Sequence, residues 1–475
     1  MEKHRMSRTA RLSRAVLLTL VLAALAIPVG INTVPAFVVP PDAQAEQSPP
    51  AAQRPPQKLS PLGVISNLSK DAPLPTTSQL AVLLDASLGA PIGSMTGQVV
   101  DGISGQTLYD RQSERPVIPG SNLKLLTALS VLKNIDSTKR FSTRVLAGAE
   151  PNQIVLQAGG DVLLGSGAST PEEINGHAGL QTLAQLTAKA LGKVSTPVSV
   201  IIDDSLFSGP ALSPEWQPED VAAGEIAPIY PIALNSAQPE SKASAGRPQD
   251  AALAAGQAFV AALAKQGVAV SSEVDRPQAG QSTNKGAELA KVESATIAEQ
   301  VNYMLANSDN YLAEVLARLA AVQQGKAGDF TEATALTTAT IGALGIATDG
   351  LVLADSSGLA IRDRVSAAQL TQAVRAMTSS DNPVLHAALG GLPIGGLTGT
   401  LSQRFNDPAT ADGAGLVRAK TGTLNTVLTL SGYVVDRDGR LLVFSFMAND
   451  LSNGPASVRP ILDKSAAILA GCGCR

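Results

Sequence analysis

Histidine, cysteine and aromatic side chains are scarce in this chain, and each scarcity removes a class of chemistry. Of 475 residues, three are histidine: His4, His177 and His386. None stands at metal-ligand spacing from another, and no Gly-x-Ser-x-Gly elbow occurs. A serine enzyme built here therefore needs a base other than histidine, unless distant residues assemble a triad. The two cysteines, Cys472 and Cys474, both fall in the terminal GCGCR. Two thiols cannot complete a four-ligand zinc site, and a disulfide across one residue is strained, so they read as a mobile tail. Aromatics make up 3% of the chain, which leaves Ala, Leu, Val and Ile to build the cores. Charge is sparse too: charged residues are 16% and the net charge is −4. No basic field exists to hold phosphate, which excludes a nucleic-acid partner.

What is present is length and apolar content. A chain of 475 residues that is 44% hydrophobic can pack two or more units. Residues 1–45 read as an export segment: a basic MEKHRMSRTARLSR, an apolar AVLLTLVLAALAI ended by Pro28, and AQA at 43–45 as a small-x-small cleavage site. The site lies well past the apolar run, so cleavage and retention as a membrane anchor through residues 15–39 both stand. EQSPPAAQRPPQKLSPL is Pro-rich and reads as an extended tether.

Ordered structure is expected from near residue 75. MTGQVVDGISGQTLYD reads as a hairpin and PGSNLKLLTALSVLKN as a helix entered through a breaker pair. Residues 146–290 change character, with short apolar runs among Gly, Pro and Ser. The helical pattern returns with ESATIAEQVNYMLANSDNYLAEVLARLAAV and DRVSAAQLTQAVRAMT. LVRAKTGTL, TVLTLSGYVVD and RLLVFSFMAN read as strands, and SVRPILDKSAAILAG as a closing helix. The two ends thus form one α/β unit, with the middle inserted.

A lysine can replace histidine as base if burial or nearby positive charge depresses its pKa. Ser121 and Lys124 are three residues apart, one helical turn, and share a face. A serine at a helix start also lies near free backbone N–H groups. The bare Ser-x-x-Lys pattern is weak, since it occurs three times. Ser130–Lys133 falls in mid-helix and Ser282–Lys285 in a polar loop. On its own, Ser121 is either a nucleophile or an N-cap. Ser-Asp-Asn occurs twice: Ser308-Asp309-Asn310 leads into a helix, while Ser380-Asp381-Asn382 runs into Pro383 and reads as a turn. Lys420-Thr421-Gly422, followed by Thr423, lies in a strand pattern. Its lysine supplies charge, its threonines supply donors, and its glycine admits a close neighbour.

These three motifs in this order resemble the active-serine penicilloyl-enzyme signature. The chain resembles the D-alanyl-D-alanine carboxypeptidase/endopeptidase family, the class C penicillin-binding proteins. The blocks GQTLYDRQSERPVIPGSNLKLLTALSVL, LQAGGDVLLGSG, VIIDDSLFSGP, DSSGLA, LPIGGLTGTLSQRF and VRAKTGTLNTVLTLSGYV carry the likeness from about 80 to about 465.

The resemblance implies a penicillin-binding/β-lactamase-like transpeptidase fold, an α/β antiparallel sheet flanked by helices, with an inserted mainly β domain. It divides the chain into 1–45 export signal or anchor, 46–78 linker, 79–145 and 291–475 catalytic domain, and 146–290 insert. It implies a peptidoglycan stem peptide as substrate, β-lactams as covalent inhibitors, an extracytoplasmic location and no cofactor or metal. Ser121 would attack the penultimate D-Ala carbonyl and Lys124 would be its base. Ser308 would pass a proton to the leaving amine, and Asn310 would hold the substrate amide. Lys420 would keep the site positive. Thr421 and Thr423, with Gly422 between them, would bind the terminal carboxylate, and the N–H groups of Ser121 and Thr423 would form the oxyanion hole. Asp203 would meet the amino end of the stem peptide; a strand-end turn residue is its other reading.

The 187-residue separation of Ser121 from Ser308 fits one insert without a further nested one. Where the family often has Ser-Arg-x-Asn after SGL, this chain has Ala360-Ile361-Arg362-Asp363, which leaves the arginine's role to Arg362 or Arg364. A β-lactamase and a wall-binding protein that kept the fold are the other readings of the same motifs.

Overall fold

In the computed structural model, residues 68, 71–89, 93–239, 246–277 and 286–473 are described. Among the described residues, ten strands form two five-stranded sheets. They are β1 Ser94–Asp101, β2 Thr107–Arg111, β3 Ser142–Ala147, β4 Gln153–Gln157, β5 Val198–Asp203, β6 Val270–Asp275, β7 Glu288–Glu293, β8 Arg418–Leu424, β9 Val427–Val435 and β10 Leu441–Asn449. The α-helices are α1 Thr77–Leu88, α2 Lys124–Asn134, α3 Leu180–Leu191, α4 Pro218–Ala222, α5 Ala251–Lys265, α6 Ile297–Asn307, α7 Asn310–Gln323, α8 Phe330–Ala343, α9 Ala367–Thr378 and α10 Arg459–Gly471.

The first sheet is antiparallel throughout, in the order β2–β1–β10–β9–β8. Both ends of the described chain therefore close one sheet. Its central strand, β10, is buried along its whole length, which is why LLVFSFMAN reads as a continuous apolar run rather than an alternating one. The two-residue period still sorts its side chains. Leu442, Phe444, Phe446 and Ala448 join a core with Leu80 and Leu84 of α1 and Leu462 and Leu469 of α10. Val443 and Met447 face the opposite core, with α2, α7 and α9. Residues 124–132 of α2 and 311–321 of α7 are buried all round, as expected of helices at the centre of a layer.

The second sheet, β6–β5–β4–β3–β7, is drawn from residues 142–293. β3 is antiparallel to β4 and β7, but β4, β5 and β6 run parallel. Parallel neighbours need crossovers. α3 and α5 supply them, burying Leu180, Leu183, Phe259 and Leu263 against Val145, Leu156, Val200 and Ile202. This stretch accordingly holds helices as well as strands. Its irregular 204–239 segment, including α4, reaches the first sheet's cleft.

Cys472 is buried in the α10 core, so that cysteine is not part of a loose tail. The export segment, the tether of residues 46–62, Ser282–Lys285 and Cys474 lie outside the described residues. Among the described residues no helix is long and apolar enough to cross a membrane.

Candidate active site

PGSN folds as a 3₁₀ turn, Gly120–Leu123, and the α-helix starts only at Lys124. Ser121 therefore sits inside the turn, and neither that turn nor α2 has a side-chain N-cap. The Ser121 hydroxyl instead accepts a hydrogen bond from Lys124 Nζ at 3.0 Å. The same amine donates to Asn310 Oδ1 at 2.6 Å and to the Ser357 carbonyl at 2.7 Å. Lys124 is completely buried. Burial pulls its pKa from 10.5 down to about 8, while Asp355, Asp309, Glu314 and Glu225 act in the opposite direction.

Ser308 and Asn310 arrive from the break between two helices. Ser308 closes α6 in the left-handed region at φ 56°, ψ 36°, and Asp309 at once caps α7, accepting from Leu312 N at 3.0 Å. A non-glycine residue there costs about 1–3 kcal/mol, a kind of strain that gathers at functional sites. The reversal is compressed into three residues, which is why Ser-Asp-Asn can turn both flanking side chains to one place. Asn310 Nδ2 donates to the Glu225 carbonyl at 3.0 Å while its oxygen serves Lys124, so both ends of the amide are fixed.

The third motif lies on β8, the sheet edge. Lys420 is fully buried and donates to Ser308 Oγ at 2.9 Å and to the Thr421 carbonyl at 2.7 Å. Burial, reinforced by neighbouring Lys124, holds its pKa well below the lysine range. Thr421 Oγ1 shares a hydrogen bond with Thr400 Oγ1 at 2.8 Å. Gly422 is required by close approach, because a Cβ there would lie 2.2 Å from Thr429 Oγ1, 2.8 Å from the Pro119 carbonyl and 3.0 Å from Ser121 N. Two bonds fasten the nucleophile turn to the sheet: Thr429 Oγ1 to the Pro119 carbonyl at 2.8 Å, and Asn122 Nδ2 to Ser431 Oγ at 2.7 Å.

Ser121, Ser308, Asn310, Thr421 and Thr423 line one cleft of about 970 Å³, with both lysines buried behind it. Its far rim is acidic, formed by Glu219, Asp220 and Glu225. Asp203 is not brought there. It ends β5, accepts from Ser205 Oγ at 2.6 Å and Gln157 Nε2 at 3.3 Å, and lines a separate depression with Arg140 and Gln323. Its bonds from Ser205 N, at 3.2 Å, and Oγ match its reading as a turn residue. Neither Arg362 nor Arg364 lines the cleft. Arg362 pairs with Glu215 at 2.5 Å and Arg364 donates to the Ile361 carbonyl at 2.8 Å.

The competing motifs separate by burial. Ser130 is buried in α2 while Lys133 is exposed, and Asn382 introduces the 3₁₀ turn Pro383–Gly391. His177 meets Arg140, and His386 donates to the Ser379 carbonyl at 2.8 Å. Among the described residues no cluster could hold a metal ion. Sequence reasoning missed Thr400, Asp355 and the carbonyls of Glu225 and Ser357. A carbonyl leaves no residue-type signal, and Asp355 stood only inside a quoted block.

Comparison with known proteins agrees with this arrangement. Residues 80–244 and 235–470 match the D-Ala-D-Ala carboxypeptidase 3 (S13) family. Carboxypeptidase DacB of Mycolicibacterium smegmatis is 34% identical over 434 residues, covering 90% of this chain and 91% of that protein. The D-alanyl-D-alanine carboxypeptidase of Actinomadura is 27% identical over 455 residues, covering 79% and 81%. The crystal structure of penicillin binding protein 4 from Haemophilus influenzae superposes with a TM-score of 0.68 at 20% identity, over 81% of this chain and 97% of that one, and so shares its fold. With its motifs, sheet order and most of its length accounted for in this way, the chain belongs to the D-Ala-D-Ala carboxypeptidase 3 (S13) family of serine peptidases.

Proposed function

We propose that the protein is a serine DD-peptidase that cleaves the D-Ala-D-Ala end, or a D-Ala cross-link, of peptidoglycan stem peptides through an acyl-enzyme on Ser121. The observation that carries this is the 3.0 Å contact between Ser121 Oγ and a buried amine whose pKa is lowered to about 8. Neutral Lys124 takes the hydroxyl proton as Ser121 Oγ bonds to the carbonyl carbon, and the tetrahedral centre expels the D-Ala amine. Ser308, held by Lys420, relays a proton to that amine. Asn310 binds the substrate amide on the side facing Glu225. Thr421 and Thr423 receive the terminal carboxylate, and the Ser121 and Thr423 N–H groups face the developing oxyanion. Water then releases the acyl group. A β-lactam presents the same carbonyl but keeps its leaving amine tethered, so it remains attached.

The insert of residues 146–290, divided from the catalytic parts 79–145 and 291–475, supplies the acidic rim. Export by residues 1–45 would place the enzyme outside the cytoplasm, where its substrate is, either free or held at the membrane by residues 15–39. Intact-protein mass spectrometry after penicillin treatment tests the proposal. An adduct on the Ser121 peptide and release of D-Ala from a D-Ala-D-Ala peptide are expected. An adduct on another peptide, or none, overturns it.

A further inference from the structure

We infer that Asp355 and Trp216 are positioning residues for the base: together they fix the Ser357 carbonyl, which aims Lys124 Nζ at Ser121. The inference rests on the reading of Lys124 as base, and it assigns work to two residues that do not line the cleft.

Asp355 is completely buried and collects six donors. Oδ1 accepts from Ser357 N at 3.0 Å and Gly358 N at 2.7 Å. Oδ2 accepts from Leu359 N at 3.0 Å, Ala360 N at 2.9 Å, Ser357 Oγ at 2.9 Å and Trp216 Nε1 at 2.9 Å. Each oxygen accepts at least two of these bonds, which is within the capacity of a carboxylate. Five of the six come from its own loop, which is thereby wound tightly around one side chain. The sixth comes from the chain's single tryptophan, 139 positions earlier in the irregular 204–239 segment. Trp216 is held edge-on against Phe330, with ring centroids 5.3 Å apart.

Two carbonyls of the loop reach the nucleophile helix, while Ser356 N donates to Glu314 Oε1 of α7 at 2.9 Å. The Ser357 carbonyl accepts from Lys124 Nζ at 2.7 Å and the Ser356 carbonyl from Thr127 Oγ1 at 2.6 Å. Gly358, at φ +82°, presses so close that a Cβ would lie 2.0 Å from the Gly120 carbonyl. This bears on the chemistry through the geometry of a neutral amine, which has two N–H bonds and one lone pair. Asn310 Oδ1 and the Ser357 carbonyl can only accept, so they take the N–H bonds. The lone pair is left for the Ser121 hydroxyl. If the Ser357 carbonyl drifts, the amine can rotate and the lone pair loses its direction.

The charged and titratable groups around Lys124 come from four elements: Glu225 from the 204–239 segment, Asp309 and Glu314 from the start and body of α7, Asp355 from its loop, and Lys420 from β8. Asp363, beside Asp355, is raised well above the carboxylate range by burial and by Asp355.

Two changes separate direction from charge. Replacing tryptophan biosynthetically with benzothienylalanine exchanges N–H for sulfur at position 216 alone, since the chain has one tryptophan, and keeps the ring shape. Asp355→Asn removes the charge. Acylation by fluorescent penicillin is measured across the pH range of Lys124 titration, with KM for a D-Ala-D-Ala peptide. Both proteins are expected to acylate about tenfold more slowly with KM unchanged. The acid limb should stay in place for the tryptophan analogue and move to lower pH for Asp355→Asn, whose lost anion had favoured the ammonium. Wild-type acylation by the analogue protein overturns the inference, and it decides the matter alone if Asp355→Asn does not fold. A wild-type protein without a Ser121 adduct would instead overturn the reading of the base.

Discussion

Gly422→Ala is the sharpest probe of how the sheet edge serves the nucleophile. The new methyl carbon would sit 2.2 Å from Thr429 Oγ1 and 2.8 Å from the Pro119 carbonyl. Contact distance for such atoms is about 3.5 Å, so β8 must retreat by about 1 Å or the Thr429 side chain must turn away. Turning away breaks the 2.8 Å bond from Thr429 Oγ1 to the Pro119 carbonyl, which ties the turn carrying Ser121 to β9. Losing that buried bond costs about 1–3 kcal/mol. Either response moves Ser121 relative to Thr423, and displacements of about 1 Å cost about a hundredfold in rate. We therefore expect Gly422→Ala to stay folded, melt a few degrees lower and acylate with fluorescent penicillin about a hundredfold more slowly. Adding Thr429→Ala removes the nearest clash but also that bond, and it leaves the Pro119 carbonyl in the way, so no recovery of the acylation rate is expected. A Gly422→Ala protein that acylates at the wild-type rate would refute the claim that Ser121 and β8 are held in register by backbone contact.

Lys124→Met should lose about a thousandfold in acylation while remaining folded, because a buried amine is exchanged for an apolar chain of similar shape, as labelling and thermal melts will show. In the wild type, acylation should rise with pH through about 8, since the base acts uncharged. The same titration affects stability: the unfolded chain binds more protons between about 8 and 10.5, so wild-type Tm should gain on that of Lys124→Met across that window. Ser130→Ala and Lys133→Ala should leave acylation unchanged, as one residue is buried in α2 and the other points to solvent. Asp101→Asn should cost about 3–5 kcal/mol in a denaturant melt. Burial opposes the Asp101 charge, yet its bonds to Arg440, both 2.6 Å, hold the carboxyl at about 2.

Much of the first sheet was legible because its strands carry strong local patterns. RLLVFSFMAN could hardly be other than a central strand, and the DRDG turn fixes its partner. The order of the second sheet was not legible. β6, VSSEVD, has almost no apolar pattern, and its parallel pairing with β5 is made by α5 crossing over rather than by a hairpin. That Asp203 lines a separate depression was not legible for a related reason: which cleft a strand end borders depends on how its sheet docks, a long-range outcome. Asp355 stood within a recognisable block, but its donors are loop amides and a distant indole, which leave no spacing to read.

What the sequence by itself determined is that Ser121 and Lys124 share one face, a helical turn apart, and that Ser308 and Asn310 leave the same tight reversal. How far each lysine's hold on its proton is weakened was decided only by the tertiary structure. A lysine's charge depends on the water and carboxylates around it, and those are brought by α7, the Asp355 loop and β8 from positions far apart in the chain.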